Sequence, residues 1–513
     1  MNYYDLHSYV LLRSVIIISC YIIISGAFDD ILLIVDAASS KSFENKQPNN
    51  NKMCTVDYDV VICGGGIVGL STAVGLSRQF RGEDNANNIR IKVFERTQSP
   101  LKPVGALFGL FPNGVTALRS ICPQVCQKVL DSAIPVVGGI HKDVRNGKVV
   151  AIRQTDSSKS RDSGKTVTED QLAATTRGTR SNGMFLVWYL LQKYLVDALP
   201  EGVLCLGKVF QSYEIDKQTG FVRVTLSDRE NDTPPISVTC RVLIGADGIR
   251  SAVRRQLLGK DVELHYHKRM MYRGVLDIDK VDHDIVCPPR SGLRVGYKCG
   301  EVGKVFSFCE SAKRVLTITA TVIRELPIDQ PTSSSDDIKA RMRQIFANYP
   351  PEVHHIIDQV DGSAIYENAV YDIDMLKKDD GWSYKSVILI GDAAHAMTPA
   401  LGQGGNMGLE DGAELALSLA PVLKSILSTA RDHTATEDDM ELCSDDIIKR
   451  QQEQIANVLK GYWQRRLPRV DEVHRISREE AEYRNKYGVR DKVEFKKRNR
   501  GFYERLYGWK PVS

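Results

Sequence analysis

The chain has 513 residues, 42% of them apolar and 26% charged, which suffices for two or three packed units and excludes both a small binding module and a largely disordered chain. A net charge of +4 with a pI near 8.3 is too mild for the basic patch of a nucleic-acid binder, so nucleic acid is set aside. The 11 cysteines are scattered and odd in number, which argues against a disulfide framework; Cys122 and Cys126, the close pair, lack a second ligand pair for zinc and read as buried thiols, with no metal expected.

Residues 1–40 differ in kind from the rest of the chain. Val15 to Ile24 is an apolar run of signal-peptide length, preceded by Arg13 and followed by Ser25, Gly26 and Ala27. Spanning a bilayer would require burying Arg13. A signal peptide cleaved after Ala27, a membrane anchor, a leader towards a plastid and a start upstream of the true one all stay open, and the localisation with them. Residues 41–54 are polar and rich in Asn, as a linker would be.

Folding is expected from about Thr55. The run Val60-Val61-Ile62-Cys63 is continuous, which suits a parallel strand buried on both faces. Ser71 to Gln79 carries helical spacing and Ile91 to Phe94 forms a second strand, together one βαβ unit of about 30 residues. The expected class is therefore α/β: a Rossmann-type nucleotide-binding domain, a mixed β-sheet domain and C-terminal helices. Residues 55–135, 201–260 and 385–430 are assigned to three parts of the nucleotide domain, and residues 136–200 and 261–384 to the mixed sheet. A polar insertion at 157–182 reads as mobile. Arg314 to Val322 alternates apolar and small polar residues, as a half-covered antiparallel strand does. Residues 431–446 read as an acidic loop and 447–513 as a helical region of mixed charge.

Gly64-Gly65-Gly66-Ile67-Val68-Gly69 follows the first strand and opens a helix, the context in which such a glycine pattern signals a dinucleotide. Gly64 permits a tight turn, Gly66 lets backbone approach a pyrophosphate and Gly69 lets helix and strand pack; the free amides of the helix start then meet phosphate. Glu95, with Arg96 beside it at the end of the second strand, is placed to accept from ribose hydroxyls.

Two further apolar strands end in Gly and Asp: Leu243-Ile244-Gly245-Ala246-Asp247-Gly248, with Ser251 and Arg254 after it, and Val387-Ile388-Leu389-Ile390-Gly391-Asp392-Ala393-Ala394-His395. Here the sequence resembles the FAD-dependent aromatic-hydroxylase-type monooxygenases, which include salicylate hydroxylase-like and zeaxanthin epoxidase-like enzymes. The resemblance runs from about Tyr58 to Leu419. It implies FAD as cofactor, NAD(P)H as transient reductant, and O2 and a small molecule as substrates. It implies that Asp392 accepts from the ribityl chain and that Asp247 supports the pyrophosphate region, although a cap on the following helix is an equal reading of Asp247. Pro399, Gly402, Gly404, Gly405 and Asn406 fall in the loop that resembles the one cradling the flavin ring. Gly105 to Asn113 and Tyr272-Arg273-Gly274 resemble the loop beside the flavin and the first strand of the substrate sheet.

One departure stands out. The resemblance places an Arg where this chain reads Val187-Trp188-Tyr189-Leu190; Arg180 is the nearby substitute, and Trp188 reads as core. His265 and His267 share a strand face but lack a third metal ligand, and His395 reads as structural. No catalytic side chain is assigned. A halogenase is disfavoured because the four Trp stand apart. An FAD-dependent reductase of a lipophilic isoprenoid and a non-catalytic membrane-associated flavoprotein remain the alternatives. The chain lacks room for the additional C-terminal domain of plant zeaxanthin epoxidases, and the N-terminus tilts the expectation towards a lipophilic substrate.

Overall fold

The computed structural model describes residues 56–81, 89–99, 107–154, 183–230, 233–281, 293–298, 303–328, 334–360, 364–376, 381–432, 445–488 and 492–512, all within the unit Thr55–Ser513. The signal or anchor segment 1–40, the linker 41–54, the insertion at 157–182 and most of the loop at 431–446 lie outside the described residues.

In chain order the nucleotide half starts with β1 (Tyr58–Cys63), α1 (Ile67–Gln79) and β2 (Ile91–Glu95). Then come β3 (Leu107–Leu110), α2 (Pro112–Ile121), α3 (Pro123–Ser132) and β4 (Ile134–Pro135). The strands β5 (Gly138–Asp143) and β6 (Val149–Gln154) leave for the second sheet, and β7 (Met184–Val187) and α4 (Trp188–Asp197) return. The chain continues through β8 (Leu204–Leu206), β9 (Lys208–Ile215), β10 (Val222–Asp228), β11 (Ile236–Gly245) and α5 (Ala252–Leu258). The second sheet is completed by β12 (Leu264–Asp277), β13 (Leu293–Lys298), β14 (Lys304–Ala312), β15 (Val315–Ile323), α6 (Ser335–Ile345), α7 (Pro351–Gln359) and β16 (Ile365–Ile373). Last come β17 (Ser383–Tyr384), β18 (Val387–Leu389), α8 (Asp392–His395), α9 (Gly404–Asp432), α10 (Asp445–Tyr487), α11 (Lys492–Arg498) and α12 (Phe502–Tyr507).

The nucleotide sheet runs β17-β18-β11-β1-β2-β8, with β9 and β10 as a hairpin on β11. β1 is central and parallel to both β11 and β2, which is why Val60, Val61 and Ile62 are all buried and its sequence does not alternate. Helices α1 and α9 cover it at close range. A Cβ on Gly75 would sit 3.0 Å from that of Ala416, and one on Gly412 would sit 2.7 Å from the Ser71 hydroxyl.

The second sheet has seven strands in the order β16-β12-β15-β14-β13-β5-β6. The alternation at 314–322 belongs to β15, shifted by one residue because Arg314 takes the turn at φ +64°. Residues 183–200 differ from their expected place: β7 pairs with β3 and β4 in a small third sheet, and α4 joins the core formed by α1, α2 and α3. This small sheet is one contact between halves, since β14 packs on β7 and β15 touches β3; α10 makes another, against β12.

Candidate active site

The turn after β1 is built by three glycines with three different needs. Gly64 has φ +114°, and a Cβ there would lie 2.2 Å from the Ala246 carbonyl oxygen. A Cβ on Gly69 would lie 2.0 Å from the Gly64 carbonyl oxygen, so helix and strand could not close. A Cβ on Gly66 would meet nothing within 4 Å. Gly66 is the N-cap of α1 and no side chain caps it, so no side chain answers the amides of the first turn, on Ile67, Val68 and Gly69, and such a helix start suits an anion. The Val68 side chain wedges against Gly391 and Gly408, tying the turn to the third nucleotide segment.

Glu95 braces this turn. Its Oε2 accepts the Gly65 amide at 2.7 Å and its Oε1 accepts the Thr97 amide at 2.8 Å, leaving further lone pairs for a ligand. Arg96 is exposed just beyond. Gln192, buried on α4, donates to the Gly65 carbonyl at 2.9 Å.

Asp247 has its carboxylate engaged at the start of α5, where it accepts from Ser251 Oγ and the amides of Ala252 and Val253. Of the two readings of this residue, the geometry is that of the cap. Arg254, buried on the same helix, donates to the carbonyls of Ile249 and Ala393 at 2.6 and 2.9 Å and so holds the Gly391-Asp392 turn.

Asp392 is exposed, yet protein crowds it enough that lost hydration raises its carboxyl above the usual range, with Asp411 adding to the rise and His395 and Arg254 opposing it. Both hold for a group on the wall of a concave opening. The Cβ that Gly404 lacks would stand 3.9 Å from Asp392 Oδ1, with no closer neighbour than Met397 at 3.7 Å. A carboxyl with a raised folded pKa adds stability below its unfolded value of about 3.9 and loses it as pH rises through the folded value. Asp392→Asn should therefore leave the ligand-free melting temperature at pH 7 unchanged or higher while weakening retention of a polar ligand. A lower ligand-free melting temperature would sink this assignment.

Beyond Asp392, Pro399–Leu401 forms a short 3-10 turn and Gly402 takes φ +66° before α9 begins at Gly404. Asn406 is buried and committed: Nδ2 donates to the carbonyls of Gly109 and Gly402 at 2.8 and 3.0 Å, and Oδ1 accepts the Phe111 amide at 3.0 Å. It is a clamp between the loop and β3. The absence of a Cβ on Gly405 makes room for Phe108, whose ring would lie 2.3 Å away. Trp188, at the start of α4, packs edge-on against the same Phe108 at 5.5 Å between ring centres, so it is a packing residue; Arg180 lies outside the described residues. Phe111 fills the space vacated by Gly109, Gly183 and Gly402 and stacks on Tyr507 of α12 at 5.9 Å.

Under the loop lies a buried ionic network that sequence reasoning missed. Arg466 of α10 donates from Nε to Asp411 Oδ1 at 2.8 Å and from NH1 to Glu410 Oε2 at 2.7 Å. Arg469 adds two bonds to Glu410, and Asn113 reaches Glu410 and Gln403. Asp411 Oδ2 accepts the Gly391 amide at 2.9 Å and the Nε2–H of His395 at 2.6 Å. His395 is thus structural. Burial alone would raise Asp411, but His395 and Arg466 together with the Gly391 amide hold it well below the usual carboxylate range. The arginines recur at i and i+3, one helix face, but in a helix crowded with charge that spacing does not single them out.

His265 pairs with Asp374 at 3.1 Å and His267 with Asp372 at 2.9 Å, and Arg478 bridges both aspartates. No group of three side chains among the described residues could hold a metal. Cys122 and Cys126 are buried free thiols.

Comparison with known proteins places this geometry in context. A family model for an FAD binding domain matches residues 189–438. Aurachin C monooxygenase/isomerase of Stigmatella aurantiaca is 28% identical over 373 residues, covering 72% of this chain and 83% of that protein. Chloroplastic zeaxanthin epoxidase of Spinacia oleracea is 29% identical over 377 residues, covering 72% of this chain and 49% of that protein, so the chain spans about half of that relative. The crystal structure of Klebsiella pneumoniae HpxO complexed with FAD and uric acid shares the fold, with a TM-score of 0.60 at 20% identity over 88% of this chain and 93% of that one.

Proposed function

We propose that the chain, which is similar to FAD-dependent monooxygenases, is one of them and uses NAD(P)H and O2 to hydroxylate or epoxidise a small aromatic or isoprenoid molecule, one oxygen atom entering the product and the other leaving as water. The observation that carries this reading is the uncapped helix start at Gly66 combined with an exposed, crowded carboxylate at Asp392. Bound FAD supplies the acceptance of hydride and the activation of O2.

The chain's own residues bind and orient. The amides of Ile67, Val68 and Gly69 receive the pyrophosphate at the positive end of α1. Glu95, flanked by Arg96, accepts from ribose hydroxyls, and Asp392 accepts from the ribityl hydroxyls. Pro399, Gly402 and Gly404 would hold the ring at the start of α9, whose first amides would favour negative charge there. Gly405, Asn406 and Asp247 act one step back, by packing, clamping and capping. The apolar contact of Val187, Tyr189, Leu190 and Val275 excludes water between the halves.

The test is turnover by the purified protein. FAD should be released on denaturation, NAD(P)H consumption should need O2 and rise with substrate, and product formed under labelled O2 should gain one labelled atom. Bound FAD with no reductant-driven O2 uptake on any aromatic or isoprenoid would overturn the reading, and saturation of a double bond without O2 would mark an isoprenoid reductase.

The apolar run from Val15 to Ile24 supports a separate proposal, that the N-terminus brings the chain to a membrane. None of the described helices is long and apolar enough to cross one. Co-sedimentation of the full chain with membranes, lost on removal of residues 1–40, tests it.

A further inference from the structure

The seven-stranded sheet has two unlike faces, and one register row on each displays the contrast. Gly274, Ile365, Ile318, Phe308, Val295 and Ile140 stand side by side across β12, β16, β15, β14, β13 and β5, and the face they share is covered by α6 and α7. One residue earlier or later on each strand, the row on the opposite face reads Tyr366, Arg273, Thr319, Ser307, Gly296 and His141. That row contains no Val, Leu, Ile, Met or Phe. Its face is the one turned towards the nucleotide half, because Val275, two residues from Arg273, packs with Val187, Tyr189 and Leu190.

Two guanidiniums on this face have no acid to answer them. Arg294 donates to Ser307 Oγ from Nε at 3.1 Å and from NH2 at 2.6 Å, and Ser307 donates its own proton to the Thr319 carbonyl at 2.9 Å. Arg273 donates to Asn368 Oδ1 at 2.6 Å, and its Nε is buried without a hydrogen-bond partner. No carboxylate among the described residues pairs with either; the neighbouring Arg269 also finds amide and hydroxyl oxygens, on Asn485 and Thr321. Lost hydration depresses the affinity of Arg273 and Arg294 for their protons, while both side chains keep part of their surface exposed and so within reach of a ligand. A desolvated cation left unpaired is costly, and each guanidinium keeps free N–H groups in a fork suited to a planar oxyanion.

From this arrangement we infer that the substrate is an organic anion whose oxyanion is received by Arg273 and Arg294 on the Ser307–Thr319 face of the sheet. The inference rests on the monooxygenase reading and narrows its substrate class, away from a wholly apolar isoprenoid. Gly296 lies in the same row between Ser307 and His141, and a Cβ there would have no neighbour closer than 3.7 Å.

The test uses the FAD-loaded full chain and matched probes: benzoate against benzamide, and 2-hydroxybenzoate against its amide, titrated while the flavin absorbance is followed. The acids should perturb the spectrum with an affinity at least about tenfold above that of their amides. Arg273→Gln and Arg294→Gln should each cost the acids about 10- to 100-fold and leave FAD content, melting temperature and amide binding as they were. Amides binding as well as acids, or acids giving no perturbation at millimolar concentration, overturn the inference while bound FAD keeps the wider reading intact. If the variants raise the KM for NAD(P)H and leave acid binding alone, the guanidiniums serve the nucleotide phosphates and the inference also fails. A chain that retains no FAD contradicts the wider reading itself. The acid-to-amide ratio of the unmodified chain stands as evidence even where a variant misfolds.

Discussion

Arg466→Met is expected to destabilise the folded unit by about 3–5 kcal/mol, the usual cost of stranding buried carboxylates. The side chains of Arg466, Glu410 and Asp411 are 1% exposed or less, and Arg469 can answer only Glu410 among the two acids. Asp411 would retain His395 and the Gly391 amide but lose its full cation. The pH dependence separates this cause from lost packing. A carboxyl held below its unfolded value of about 3.9 contributes stability above that pH and loses it as pH falls towards the folded value. The gap between the unmodified chain and the variant in denaturant midpoint should therefore be widest near pH 7 and shrink as pH drops through about 4. An equal gap at pH 4 and pH 7 would assign the loss to packing. Arg466→Lys should fall between the two, since one ammonium cannot serve both acids with Arg geometry.

The second large effect contrasts neighbouring glycines. Gly66→Ala should leave the ligand-free melting temperature unchanged, because its φ is −73° and the new methyl meets no protein atom within 4 Å. The methyl enters the space assigned to the pyrophosphate, so FAD affinity should drop on the order of 100-fold, about 2.8 kcal/mol. Gly64→Ala should lose both fold and cofactor, because φ is +114° and the methyl meets the Ala246 carbonyl oxygen at 2.2 Å. Fluorescence titration of FAD into ligand-free protein, alongside melting curves, checks the pair. Tight FAD binding by Gly66→Ala would remove the phosphate assignment from this turn.

These contrasts explain which parts of the site are legible in the amino acids alone. The glycine turn, Glu95 and the Gly391-Asp392 turn are local, each set by a few adjacent residues whose conformational needs are written in their identities. Asp247 is ambiguous for the same reason, since one carboxylate five residues ahead of a helix suits either a cap or a ligand. Gln192, Arg466 and Arg469 act across gaps of 55 residues or more, and nothing near them in the chain marks them apart from other polar helix residues. Thr317, Thr319 and Thr321 reveal an alternating strand, but not that the polar side faces inward. Only the register with Ser307 and Arg273 does that. Asn406 and Gly405 look like ligand contacts in the sequence; their partners, Gly109, Phe111 and Phe108, are supplied by a strand about 300 residues earlier.

The order of the nucleotide sheet bears on how the protein is made. β1 emerges from the ribosome early, yet its neighbour β11 begins at Ile236, the next strand β18 begins at Val387, and Arg466 follows later still. Until those segments exist, one edge of Val60 to Ile62 is unpaired and α1 packs there without α9, so a nascent chain should lean on chaperones for most of its synthesis. A ribosome that stops between Asp411 and Arg466 would release a product with every glycine of the cofactor turns in place and two buried acids without their arginine. Premature termination late in the message should therefore be nearly as damaging as termination early in it.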